Sequence, residues 1–262
     1  MVSKSALGTA AAIAISAITM STARAQIVNV QSALSTKAKP GFSAQLSGSV
    51  KWFTGNIDYL FTTASPLAKY KAGKHLILGF GNITFAKSSG DRIIFRSFEH
   101  LRYRYRLNKY LIPEAFVQHA FDQFIRLNIR ALIGVGPSFD IVSKKRLDIV
   151  GGVSYMFEYE KLSTETGVSD SGKVNKDHRA SSYLMATVGL DKRLSLTQTV
   201  YFQPLFKDPS DFRMYSDTGL SIALNKYLTF TNSLVVLYDR NPPDTVEKLD
   251  TRLIASLTLS IL

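Results

Sequence analysis

The chain has 262 residues, a formal charge of +12, no cysteine and a hydrophobic share of 45% that includes 12 Tyr and 16 Phe. That length suffices for one sizeable domain, and the missing cysteines exclude disulfide staples, thiolate metal sites and cysteine nucleophiles. Charged residues reach only 20%, so this is not a disordered composition.

Residues 1–25 read as a secretory signal. Lys4 lies near the start, Ala6–Met20 is apolar and uncharged, and "ARA" at Ala23–Ala25 supplies small residues for cleavage. The apolar run is short for a membrane anchor, which needs about 20 residues. Cleavage after Ala25 makes Gln26 the mature N-terminus, with 26–41 as a lead-in and 42–262 as the main domain. Export also decides what the basic balance means. The "RYRYR" stripe at Arg102–Arg106 has the look of a nucleic-acid surface, but an exported chain rarely meets nucleic acid, so none is expected as a partner. Lipopolysaccharide phosphates and a polar pore interior suit the charge better.

From Phe42 onward the sequence alternates with period 2. In "FSAQLSGSVKW", Phe42, Leu46, Val50 and Trp52 share one face and Ser43, Gln45, Ser49 and Lys51 the other. "LDIVGGVSYMFEYE" sets Tyr155, Phe157 and Tyr159 against Ser154, Glu158 and Glu160. "SLTQTVYFQPLF" sets Val200, Phe202 and Phe206 against Thr199, Tyr201 and Gln203. Each alternating segment is a strand between an apolar and a polar environment.

The punctuation is regular. "LNKYL" occurs at Leu107–Leu111 and Leu224–Leu228, with "LDKRL" at Leu190–Leu194 and "VSKKRL" at Val142–Leu147 as variants. These marks predict tight hairpin turns, and a further one falls near Gly73–His75. Between them lie more varied connections, the longest being a polar, Gly/Ser-rich loop over Lys161–His178. Short turns on one side and longer loops on the other predict an all-β, antiparallel transmembrane β-barrel of the outer membrane with about 12 strands. A soluble sandwich would also alternate, but its strands are shorter and its second face less polar.

The segment from Asp91 to Ile141 carries the candidate site. Arg92, Arg96, Arg102, Arg104 and Arg106 share one parity, together with His100, and Arg130 follows on a later strand. Across the turn at Asn108–Lys109, Glu114, Gln118 and Asp122 fall on the same face. Folding that hairpin places Glu114 beside Arg102 or Arg104. Such a lumen charge network either fills a narrow barrel with bidentate ion pairs or guides small anions, and the structural reading is the weightier. Arginines outnumber carboxylates on this stretch, so an open lumen would prefer anions. Glu99 interrupts the opposite, apolar track.

"TGN" at Thr54–Asn56, "RYRYRLNKYL", "PEAFVQHAFDQF" and "RALIGVGPSF" resemble the salt-induced outer-membrane protein family, also called domain of unknown function 481. The resemblance is fullest from Phe42 to Val142. It implies an outer-membrane barrel of Gram-negative bacteria, with outer-membrane lipids and the barrel assembly machinery as partners and no catalytic residues to carry over. Barrels of this kind usually end in an aromatic residue, whereas this chain ends in Leu262.

No cofactor or metal is expected, because the four histidines are scattered. No "G-x-S-x-G" or "H-E-x-x-H" occurs, so the chain does not read as an enzyme. The alternative is an outer-membrane hydrolase using extracellular loop residues, for which Asp177 and His178 with Asp170 are the candidates.

Overall fold

A computed structural model describes residues 27, 29, 40–55, 58–225 and 228–259. The proposed signal over 1–25 and the terminal Leu262 lie outside them. The described chain is a run of antiparallel strands: β1 Gly41–Phe53, β2 Tyr59–Ala72, β3 His75–Ser88 and β4 Asp91–Tyr105. Next come β5 Leu111–Asp122, β6 Leu127–Lys144, β7 Leu147–Leu162 and β8 Val174–Gly189. The last four are β9 Leu194–Pro204, β10 Phe212–Ala223, β11 Leu228–Asp239 and β12 Leu249–Leu259. They form one 12-stranded sheet in which every strand pairs with its sequence neighbours.

Alternation is what makes these strands, and β5 displays it plainly. Ile112, Glu114, Phe116, Gln118, Ala120 and Asp122 are buried, while Pro113, Ala115, Val117 and His119 are exposed. Buried residues face the inside of a rolled sheet. Arg213 on β10 reaches Glu158 on β7 across that inside, and Phe80 and Phe98 share a cavity with Val235, Leu237 and Arg252 from the far wall. Among the described residues no hydrogen-bonded ladder joins β12 to β1. Those two strands carry the most exposed apolar side chains, Leu46 at 76% and Leu253 at 79%, as befits a seam.

The outside is apolar with an aromatic band near one rim. Phe95 packs on Phe121 at 5.3 Å, Phe157 on His178 at 5.3 Å, and Phe202 on Phe212 at 5.4 Å. That rim holds the 89–90, 123–126, 163–173, 205–211 and 240–248 connections. The opposite rim holds the tight turns at 73–74, 106–110, 145–146 and 190–193, and the one that starts at Leu224.

The repeated pentapeptides prove to be one turn used three times. The Leu107 N–H donates to the Leu111 carbonyl at 3.1 Å, Leu190 to Leu194 at 2.9 Å, and Leu224 to Leu228 at 2.9 Å. Asn108 Oδ1 accepts from the Tyr110 and Leu111 amides, and Asn225 Oδ1 from Leu228, so the asparagine replaces main-chain partners that the turn leaves over. "VSKKRL" differs. Lys144 pairs directly with Leu147, leaving a two-residue turn, and the strand absorbs the spare residue as a bulge between Asp140 and Val142.

Two further expectations need correction. The loop predicted over Lys161–His178 spans only 163–173, because β7 and β8 keep pairing outward to Lys161 and Val174. The polar residues there belong to a protruding hairpin with one face turned inward. Consequently Asp177 and His178 occupy opposite faces of β8. Asp177 points inside to Lys207 at 3.0 Å, and His178 points outside onto Tyr155.

Candidate functional site

The inside of the barrel is a chain of ion pairs. On the β4–β5 hairpin, Arg104 stands opposite Glu114 in register, and Arg102 lies two pairs further along, on the same face. Arg102 Nη1 donates to Glu114 Oε1 at 2.5 Å, and Arg104 Nε lies 3.2 Å from Oε2. One carboxylate therefore serves two guanidiniums. Arg104 also donates to Ser138 on β6, and Arg102 sits 4.6 Å above the Phe116 ring. That ring needs Gly134 beneath it, since a Cβ there would stand 2.3 Å from Phe116 Cζ.

Arg130 is 1% exposed and donates to Glu158 Oε2 at 2.9 Å. Arg106 lies near the tight-turn rim, half exposed, and reaches Asp140 at 2.8 Å. Asp122 is buried and pairs in register with Arg96. Arg96 faces a cavity of about 350 Å³, and the Asp122 and Asp250 carboxylates offset its charge. Arg92 leaves the group. Ala86 pairs with Ile94 but Lys87 with Arg92, so Ile93 is an extra residue in β4 and the parity flips. Arg92 therefore lies outside, 5.5 Å over the Phe95 ring.

The densest node escaped the sequence reading. Arg213 donates to Glu158 at 2.6 Å, to Asp239 at 2.9 Å and to Glu160 at 3.3 Å. Arg179 joins from β8, with Asp211 at 3.1 Å and Glu158 at 3.9 Å. Parity alone offers a clue, because Arg213 sits between outward Phe212 and Met214. Its partners are spread over β7 and β11, and nothing local announces them.

This lumen is obstructed at two levels. At its waist, Ile27 from the lead-in is 4% exposed and packs against Tyr183, Tyr201, Tyr215, Val235 and Leu237. Asn29 donates to Asp217 at 3.0 Å. Ile27 borders the 350 Å³ cavity on one side and a pocket of only about 20 Å³, beside His100 and Arg102, on the other. Reading 26–41 as a plain lead-in gave no hint of this role.

At the loop rim, Arg126 ties three connections into a roof. Its Nη1 donates to Asp170 Oδ1 at 2.5 Å and to the Asp244 carbonyl at 3.2 Å, and its Nε lies 3.0 Å from Glu165. The Asp244 amide in turn donates to Asp170 at 2.8 Å, and Ser169 bonds the Asp244 carboxylate. Burial alone would raise Asp170, but the bonds from Asp244 and Arg126 outweigh it and hold the carboxyl below its usual range. Val246 turns inward onto the cluster of Ala120, Ile125 and Leu127, against which Phe98 also packs. Arg126 and Thr245 adopt φ of 58° and 68°, a left-handed backbone that costs a non-glycine residue about 1 kcal/mol or more.

The chemistry this lumen network offers is electrostatic. Asp177 and His178 point apart, which removes the pair on which the hydrolase alternative rested. Among the described residues no group of three His, Asp or Glu could hold a metal ion.

Apolar outside, ion-paired inside, strands in simple up-and-down order: these features define a β-barrel of the membrane-spanning type. The chain belongs to the family described as Protein of unknown function, DUF481, which matches residues 42–261. The family resemblance, fullest in the first half of the barrel, thus extends along nearly all of it. Among solved structures, the fold is similar to "NanC porin", at 9% identity and a TM-score of 0.48, covering 84% of this chain and 99% of that one. It is also similar to the translocator domain of autotransporter NalP from Neisseria meningitidis, at 8% identity and a TM-score of 0.46, covering 88% and 92%. No curated protein matches the chain in sequence.

Proposed function

We propose that the protein is an outer-membrane β-barrel of the Gram-negative envelope whose lumen is shut in this state, and which passes small anions when its N-terminal segment withdraws. The outward apolar face with its aromatic band supports the membrane placement. Lys161, Lys173 and Lys176, exposed around the β7–β8 hairpin, suit lipopolysaccharide phosphates. Residues 1–25 act as the export signal in this reading, and N-terminal sequencing of the membrane fraction should begin at Gln26.

The observation that carries the proposal is Ile27 seated on three tyrosines between two cavities. Ile27 is held by apolar packing and Asn29 by side-chain hydrogen bonds to Asp217 and Tyr215, contacts that can be released without breaking a strand ladder. The larger cavity beside it is lined by Arg96 and Arg252, with no carboxylate among its lining residues, which favours anions over cations.

A purely structural role has an observation of its own. Among the described residues, seven buried Lys or Arg side chains face seven buried Asp or Glu side chains, so most lumen charge is self-compensated. Planar-bilayer recordings separate the two. The full mature chain should be nearly silent, and a variant lacking residues 26–39 should conduct with a modest anion preference that Arg96→Ala reduces. A truncated barrel that folds but stays silent leaves the structural role.

A further inference from the structure

Glu99 and His119 form an ion pair on the wrong side of the barrel. They are directly opposite in the β4–β5 ladder, and His119 Nδ1 lies 2.7 Å from Glu99 Oε2. Their side chains are 46% (His119) and 55% (Glu99) exposed on the outward face. Phe95 and Phe121 flank them toward the loop rim, and Leu101 and Val117 toward the tight turns, so the pair lies within the apolar belt. Polar groups at such a position meet hydrocarbon unless another surface covers them.

The surroundings are low. Gly81 pairs with Glu99 on one side and Ala131 with His119 on the other, and Gly79 lies beside Leu101. Small residues let a second surface approach closely, as they do in other membrane contacts. Glu99 Oε1 and His119 Nε2 remain without partners among the described residues. The patch thus offers one acceptor and one ring nitrogen, side by side, in a shallow apolar floor.

We propose that this patch is the contact of a symmetric homodimer, in which each Glu99 carboxylate meets the partner subunit's His119. A two-fold axis along the membrane normal, passing between the two residues, preserves depth and exchanges left with right. It therefore sets acid against imidazole twice, which is the self-complementarity an isologous interface requires. A lipid or an unrelated protein would have to match the same two groups without this symmetry. The proposal stands apart from any reading of the lumen, since no inward residue takes part.

The absence of cysteine makes the test clean. Leu101→Cys or Val117→Cys, oxidised in outer-membrane vesicles, should give a disulfide-linked dimer. Leu184→Cys, equally exposed but on β8, should give little. Glu99→Lys in the Val117→Cys background should cut the dimer roughly tenfold or more, and adding His119→Glu should restore it. Heat-dependent gel mobility checks that each variant is folded, and Glu99→Gln replaces the lysine variant should that one fail. Equal cross-linking at Leu184→Cys, no cross-linking at either β4–β5 position, or indifference to Glu99 substitution would each overturn the proposal.

Discussion

The wall from β5 to β10 and the wall formed by β1 to β3 with β12 are built from the same alternating strands but hold together differently. The first is tied across the lumen. Arg213, Arg130 and Arg179 converge on Glu158, and a glycine admits the Phe116 ring. The second borders the cavity of about 350 Å³ and ends, among the described residues, in an unpaired seam. The difference lies in the side chains inside the barrel, because antiparallel main-chain ladders run through both walls.

The sharpest way to break this contrast is to remove the central cation. Arg213→Ala leaves Glu158, Glu160 and Asp239 without it, and loss of one member of a buried ionic cluster costs about 3–5 kcal/mol. A large fall in the temperature at which the folded gel band disappears is expected; an unchanged temperature would mean the network is idle.

Gly134→Ala comes next. Its Cβ would collide with the Phe116 ring, and overpacking of that kind costs about 1–3 kcal/mol. Phe116→Leu in the same chain should recover part of the loss.

Acid should loosen the roof locally. Asp170 is held below its usual range, so its contribution is fully present above the ordinary aspartate value of about 3.9 and is lost as pH falls through the lower folded value. Acid-active protease should therefore begin to cut within 163–173 only below about pH 4. Cutting at the same rate at higher pH would show that Asp170 does not hold the roof.

The smallest effect belongs to the slack wall. A Cβ at Gly79 would meet only Leu101 Cδ1 at 3.8 Å, so Gly79→Ala should be neutral or stabilising by up to about 1 kcal/mol. A loss as large as that of Gly134→Ala would erase the distinction between the walls.

Strand parity and turn spacing were legible from Phe42 onward, since a two-residue period leaves each side chain only two directions. Parity also brought Arg102, Arg104 and Glu114 to one face, where the structure places them in contact. It failed where a single residue was inserted, as Ile93 turned Arg92 outward. Composition misled at Lys161–His178, because a protruding hairpin is as polar as a loop. The Arg213 node lay beyond reach for a different reason. Glu158 and Arg213 are 55 positions apart, with two strands between them, and only the curvature of the sheet makes them neighbours. Ile27 was hidden similarly, by a short segment with no period to read.

The strictly sequential strand order has a consequence for assembly. Each hairpin closes a short loop at small entropic cost, so contact order stays low until the ends of the sheet must meet. Only closing the seam between β12 and β1 would ask residues some 200 positions apart to find one another. Strand β1 begins and β12 ends at the tight-turn rim, on either side of that seam. Circular permutants that join these ends and reopen the chain at the turn over 190–193 should therefore still fold, with the slow closure moved to a new pair of strands.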